Sequence, residues 1–160
     1  SVMLGVLIGM AESALELVIE GSGKRGIVYT TYARQSDSHV VQRDIGEAAT
    51  MIHTARLLMD TANRTIDEAA LAKRSITYLE QARNKGETSF AVDLLVKAVD
   101  KLMYISGSGG FSEGTALQRY WRDLNFAARH AANVPNVGYE IFGRALMGVE
   151  PNIAPHPSVI

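Results

Sequence analysis

One predicted helix in the stretch GSGGFSEGTALQRYWRDLNFAARHAA has an apolar stripe on one side and residue types capable of chemistry on the other. At about 100° per residue, the stripe consists of Leu117, Trp121, Leu124 and Ala128. The opposite side, roughly 140–200° from the tryptophan, holds Arg119, Asp123, Phe126 and His130. An ordinary surface helix has a solvated back, so we expect this side, with its aromatic ring and histidine, to line a cavity.

His130 is the candidate catalytic residue on that side. Histidine has an ordinary pKa that permits proton transfer near neutral pH, and a half-buried histidine beside a substrate can accept or donate a hydrogen bond during a reaction. The alternatives are a surface histidine or one packed at a helix interface. Arg122 and Asp123 point to different helix faces, and we interpret them as structural residues that brace the helix.

The GSGG segment before this helix holds a second group of candidates, Gly109 and Gly110. Glycine lets a backbone approach a phosphate or a ring system closely, but a plain loop that ends a helix is the stronger interpretation of these glycines alone. We predict that SGSGG at 106–110 stops the preceding helix. The segment matches neither a P-loop nor a dinucleotide-binding fingerprint. The glycines therefore do not by themselves specify a ligand.

Composition excludes several classes of function. The chain has 160 residues, 47% of them hydrophobic, and a formal net charge of −1, so it offers no basic stripe for nucleic acid. It has no cysteine, which rules out disulfides and thiolate metal sites, and its histidines show no metal-ligand spacing. Glu12 and Glu16 interrupt the apolar N-terminal run before it reaches membrane-spanning length. We expect a cytoplasmic protein with no membrane or nucleic-acid partner.

The elements that must position these candidates are helices. Periodicity predicts them over residues 2–20, 38–62, 78–105, 115–132 and 135–147, with Ser38 as an N-cap. We predict that Val28–Tyr32 extends the preceding loop or forms an irregular turn, and that 63–77 is a loop with a helical turn. The fold class is therefore all-α, an antiparallel helical bundle over residues 1–150, followed by an extended proline-rich tail at 151–160.

Three segments together resemble a known family. GGFSEGTALQRYWRDLNFAARH and the following NVGYEIFGRALMGVEP are similar to the C-terminal helical domain of the group D, two-component flavin-dependent monooxygenases, which have the acyl-CoA dehydrogenase fold. Upstream, YARQSDSHVVQRDIGEAATMIHTARLLM resembles the second helix of that domain and its lead-in. The likeness covers nearly the whole chain. Members include the oxygenase components of hydroxyphenylacetate hydroxylase and dibenzothiophene monooxygenase.

The resemblance implies a function. Such an oxygenase takes reduced FMN, or FAD, from a separate flavin reductase and inserts one oxygen atom of O2 into a small aromatic substrate. The resemblance also implies a homo-oligomer, a dimer or a tetramer built on these bundles, with the flavin bound across a subunit boundary. His130 matches the active-site histidine, Gly109 and Gly110 match the glycine loop near the cofactor, and Arg34 is the candidate for the flavin phosphate.

Two departures from the wider family keep alternatives open. Acyl-CoA dehydrogenases carry a catalytic glutamate in an IYEGT-like stretch, whereas YEIFGRALMG here lacks that context and offers only Glu140. A dehydrogenase-like flavoenzyme is therefore the second reading. The chain also lacks the N-terminal helical domain and the β-barrel of such enzymes, so we expect a C-terminal fragment. A third reading is an assembly domain that is inactive in isolation.

Overall fold

The computed structural model describes residues 2–152, and within that range all regular secondary structure is helical. The five α-helices of that range are α1 (Val2–Ser22), α2 (His39–Leu71), α3 (Tyr78–Ser106), α4 (Ala116–Ala128) and α5 (Pro135–Leu146). Single turns of 3-10 helix lie at Gln35–Asp37, Ser108–Phe111 and Ala131–Asn133. The predicted all-α bundle is confirmed, and residues 28–32 form turns rather than a strand.

Helices α1 and α3 form the centre of the core. On α1 the fully buried side chains include Leu4, Leu7, Ile8 and Ala11, and on α3 they include Val92, Leu95, Val99 and Leu102. Burying one large aliphatic side chain contributes about 1.5–3 kcal/mol, so this seam holds the other helices together. From α4, the predicted stripe members Leu117, Leu124 and Ala128 are buried against it.

Helix α2 is longer than predicted. Residues 63–71, which we predicted to lie in a loop, continue the helix to Leu71. Ala69 is buried on this extension, and the Thr65 hydroxyl donates to the carbonyl oxygen of Thr61 four residues earlier. Side-chain polarity concealed the helix, because a mostly solvated helix needs few apolar residues to pack.

Helix α3 has well-defined ends. Thr77 and Glu80 form a reciprocal capping box at its N-terminus, and the Arg74 guanidinium holds the Glu80 carboxylate with two hydrogen bonds of 2.8 Å. At the C-terminus Gly107 has φ 63°, a left-handed conformation that favours glycine. The prediction that the SGSGG segment stops this helix is thus confirmed.

Helix α4 is shorter than predicted. It ends at Ala128 rather than continuing to 132, and Arg129 is its C-cap. His130 has an extended backbone with φ −62° and ψ 140° and begins the 3-10 turn that follows. The helical-wheel position that we predicted for His130 was therefore wrong. Arg119, Asp123 and Phe126 do lie on the helix, as predicted.

Most of the predicted tail lies outside the described residues, since only its first two positions fall within 2–152. None of the helices in residues 2–152 is long and apolar enough to cross a lipid bilayer.

Candidate functional site

A cleft lies between the connector that joins α1 to α2, residues 23–38, and the Ser108–Phe111 turn that follows α3. We call it the glycine cleft. It is lined by Leu17, Arg25, Gln35, Ser106, Gly109, Gly110 and Thr115, and encloses about 140 Å³. A shallower depression continues outward over Ile27, Tyr104, Gly107 and Phe111. Both of the predicted cofactor-binding glycines therefore lie at one cleft.

Gln35 fixes the connector wall of the glycine cleft. Its backbone amide donates to the carbonyl oxygen of Arg25 at 2.6 Å, and its side-chain amide donates to the carbonyl oxygen of Ile105 at 2.9 Å. The first bond folds the connector back on itself. The second ties it to the last turn of α3, where backbone carbonyls lack helical partners.

The other wall is the glycine turn itself. A Cβ at Gly110 would lie 2.9 Å from the Cβ of Ser106, so this position requires glycine for close packing. A Cβ at Gly109 would have no atom within 4 Å. Thr115 accepts a hydrogen bond from the amide of Gln118 and donates one to the carbonyl oxygen of Gly110. That pair of bonds caps α4 and fixes the turn beside it.

The two arginines of the connector have different surroundings. Arg34, the sequence candidate for the flavin phosphate, is not among the lining residues, and its guanidinium binds both carboxylate oxygens of Asp37 at 3.0 and 3.2 Å. Arg25 lines the cleft and takes part in none of the ion pairs formed by residues 2–152. Arg25 was not a candidate from the sequence, although a basic residue inside GSGKRG was a usable signal.

His130 is exposed at the far end of α4. Its Nδ1 accepts a hydrogen bond from the backbone amide of Ala132 at 3.2 Å, so the imidazole caps the Ala131–Asn133 turn. One turn earlier, Phe126 is 82% exposed. The predicted cavity-lining side of α4 is therefore an open surface in this chain.

Asp123 does not orient the histidine. Its carboxylate is paired with the neighbouring Arg122, with 2.8 Å between Oδ1 and the guanidinium. The bracing of α4 that we expected from this pair comes instead from Trp121, whose indole nitrogen donates to the Asp100 carboxylate on α3 at 2.6 Å. Trp121 also packs edge-on against Phe111, with 5.5 Å between ring centroids.

The glycine cleft and His130 lie at opposite ends of α4. A helix of 13 residues is about 20 Å long, so a small ring system cannot contact both. No cluster of three or more potential metal-binding side chains occurs in the part of the chain that the structure describes. The polar groups available for chemistry are thus an imidazole at one end and an arginine beside a glycine turn at the other.

Comparison with known proteins places these features in a family. Residues 2–135 match the acyl-CoA dehydrogenase C-terminal domain. The chain is 32% identical over 148 residues to the flavin-dependent monooxygenase oxygenase subunit HsaA of Mycobacterium tuberculosis. The aligned residues cover 91% of this chain and 37% of HsaA. It is 29% identical over 150 residues to the p-hydroxyphenylacetate 3-hydroxylase oxygenase component of Acinetobacter baumannii, an alignment that covers 92% of this chain and 35% of that protein.

A solved structure agrees with this relationship. XiaF from Streptomyces, in complex with FADH2 and glycerol, superposes with a TM-score of 0.93 at 36% identity, over 96% of this chain and 39% of XiaF. The chain therefore spans well under half of the length of these relatives. HsaA is a flavin-dependent monooxygenase oxygenase subunit, and the A. baumannii relative is an oxygenase component. With its helical bundle and a family match over residues 2–135, this chain belongs to the acyl-CoA dehydrogenase C-terminal domain family.

Proposed function

We propose that this chain is the C-terminal domain of a reduced-flavin-dependent monooxygenase that inserts one oxygen atom of O2 into a small aromatic substrate. The observation that carries the proposal is the similarity to named oxygenase components over nine-tenths of the chain. The bound reduced flavin would supply the activation of oxygen. A separate flavin reductase would supply the flavin.

The glycine cleft fits the phosphate end of a flavin. Gly109 leaves open space above the turn, and Arg25 offers guanidinium donors that no described carboxylate occupies. Arg34 remains the candidate derived from the sequence, but a phosphate would have to compete with Asp37 for its donors. The cofactor is FMN or FAD; FADH2 is the form bound in XiaF.

His130 is proposed as the catalytic residue that contacts the substrate. Its side chain is exposed and its Nδ1 is already bonded, so Nε2 is the nitrogen free to donate or accept a proton. The 20 Å scale of α4 separates His130 from the glycine cleft of the same chain. We therefore propose that each complete site combines His130 and a glycine cleft from different copies, together with the domains that the relatives have in addition.

Assembly as a homodimer or homotetramer follows the same reasoning. Helix α1 leaves Val6 54% and Ile19 50% exposed, although its other face is fully buried. Apolar side chains on the outside of a bundle are typical of subunit interfaces. Sedimentation equilibrium on the isolated chain tests this proposal, because a folded monomer at all concentrations would contradict assembly through the bundle.

Replacement of His130 by alanine in the intact oxygenase tests the proposed reaction. We expect a fall in hydroxylated product and a rise in hydrogen peroxide released per NADH consumed, because oxygen is then activated without a productively held substrate. His53→Ala is the matched control, since His53 is exposed on α2. Unchanged product and peroxide yields for His130→Ala would remove His130 from the mechanism.

An acyl-thioester dehydrogenase is the second candidate, favoured by the fold of the family that the chain matches. Its base would be Glu140, which is exposed on α5 and lies within 3.5 Å of the Asn152 amide. Anaerobic addition of acyl-CoA to the oxidised intact enzyme distinguishes the two activities. Bleaching of the flavin absorbance by acyl-CoA would establish the dehydrogenase and exclude the oxygenase proposal.

A further inference from the structure

The turn that carries His130 is held by polar contacts rather than by packing. Behind it lies an open cleft of about 400 Å³ lined by Met3, Ile66, Gln81, Lys85, Ala132 and Asn133, among others. A surface turn with such a space on its inner side has little van der Waals support there. Its conformation therefore depends on the hydrogen bonds that its own residues make.

Asn133 makes the most of these bonds. It is 4% exposed, its side-chain amide donates to the carbonyl oxygen of Ala127 at 2.9 Å, and the same nitrogen lies 2.8 Å from Sδ of Met3. Its backbone amide donates to the carbonyl oxygen of His130 at 2.7 Å. Asn133 thus holds the end of α4 with its side chain and the histidine with its backbone.

The carbonyl oxygen of Ala127 explains why α4 stops before the histidine. It accepts the backbone amide of His130 at 3.1 Å as well as the side chain of Asn133. The first contact spans three residues instead of the four of an α-helix, so the chain tightens and leaves the helix. A buried asparagine that satisfies this end carbonyl replaces the helical bond that a further turn would have made.

Lys85 supports the turn from α3. Its ammonium donates to the carbonyl oxygen of Ala132, and partial burial lowers the pKa of the lysine. The bond links Ala132 in the turn to α3, a central helix of the bundle. Asn133 and Lys85 therefore hold the turn at adjacent positions from two different elements.

The result for the imidazole is a fixed orientation. With Nδ1 accepting the amide hydrogen of Ala132, the proton of the neutral ring belongs on Nε2. The exposed edge of the ring then presents an N–H donor. A donor in this position suits a phenolate or carbonyl oxygen of an aromatic substrate, and this step rests on the proposed function.

We propose that Asn133 is a positioning residue for the reaction: it fixes the turn in which His130 is bonded through Nδ1, so that Nε2–H faces the substrate. The informative variant is Asn133→Asp, which keeps the shape but replaces the donating amide with a carboxylate facing a carbonyl oxygen. Asn125→Asp is the control, because Asn125 also donates from α4 to a backbone carbonyl, that of Trp121, while its Oδ1 accepts from Arg129 and none of its side-chain hydrogen bonds within residues 2–152 reaches residues 130–133.

The first measurement is made on the 160-residue chain by NMR. In the unaltered chain we expect ring-nitrogen shifts of His130 with Nδ1 as acceptor and Nε2 protonated, and slow hydrogen exchange at the Ala132 amide. In Asn133→Asp we expect that exchange to accelerate and the two ring-nitrogen shifts to move toward each other. Exchange and ring shifts that match those of the unaltered chain would overturn the proposal.

The second measurement uses the intact oxygenase. We expect Asn133→Asp to lower the ratio of hydroxylated product to peroxide by about tenfold at unchanged flavin affinity, as misplacement of a reacting group does. Asn125→Asp should leave this ratio unchanged. If Asn133→Asp does not fold, Asn133→Ser decides, since it removes the side-chain amide that bonds Ala127 without burying a charge: faster Ala132 exchange with weaker coupling supports the positioning role, and no change in either overturns it.

The two measurements separate this inference from the proposed function. A loosened His130 ring with unaltered product yield would uphold the positioning by Asn133 and overturn the role of His130 in hydroxylation. A loss of coupling in His130→Ala without any change of the ring in Asn133→Asp would do the reverse.

Discussion

Gly110 and His130 lie beyond opposite ends of the same helix, α4, which is 13 residues long. Gly110 is buried and packed against Ser106 in the turn before α4, and His130 is exposed in the turn after α4. The two predicted site residues are thus separated by roughly 20 Å, more than a single isoalloxazine ring spans. In this chain one small ring system therefore does not reach both the imidazole and the glycine cleft.

The affinity for reduced flavin, through its phosphate, should depend more on Arg25 than on Arg34. In the intact oxygenase we expect Arg25→Ala to weaken the binding of reduced flavin by about tenfold or more, because a charged hydrogen bond contributes about 1.5–3 kcal/mol. Arg34→Ala should weaken it less, since its guanidinium is already bonded to Asp37. Anaerobic titration of each variant with reduced FMN and FADH2 gives the dissociation constants. The opposite ranking would restore Arg34 as the phosphate ligand.

Gly138 should not tolerate even one added methyl group. A Cβ there would overlap Oγ of Ser89, lie 2.6 Å from its Cβ and stand 3.1 Å from the carbonyl oxygen of Lys85. We expect Gly138→Ala to lower the free energy of unfolding by about 1–3 kcal/mol, as overpacking does. Urea denaturation of the 160-residue chain measures the change.

Gly143→Ala on the same helix is the control for that experiment. A Cβ at Gly143 would have no atom within 4 Å, so this variant should keep or raise stability. Equal stability of the two alanine variants would contradict the close approach of α5 to α3 at Gly138.

A fall in pH should lower the stability of the fold by protonating Glu80, which caps the N-terminus of α3. The hydrogen bonds from Arg74, together with those from Thr77, lower the pKa of this carboxyl from 4.5 to about 2. A carboxyl with a depressed pKa in the folded state stabilises the fold at pH values above 4.5, and this contribution is lost as the pH falls from about 4.5 to about 2.

The test compares the unaltered chain with Glu80→Gln by thermal unfolding between pH 2 and pH 6. We expect the difference in melting temperature to be largest above pH 5 and to shrink toward pH 2. Glu113→Gln, at an exposed position in the turn before α4, is the matched control for removal of one carboxylate. A Glu80→Gln difference that stays constant across this range would contradict the assignment.

The sequence by itself determined the helices whose apolar residues recur with the helical period, because burial of one face leaves a regular pattern in the chain. It failed at residues 63–71, where α2 continues mostly solvated and the pattern is weak. It also determined the end of α3, since Gly107 adopts a backbone conformation that other residues avoid.

Only the tertiary structure decided how the candidate residues are placed. Arg25 faces the glycine cleft because Gln35 binds the carbonyl oxygens of both Arg25 and Ile105, which are far apart in the sequence. His130 leaves α4 because Asn133 takes the end carbonyl that another helical turn would have used. Such bonds between distant or non-periodic positions leave no repeating pattern in the sequence, so they become visible only when the chain has folded.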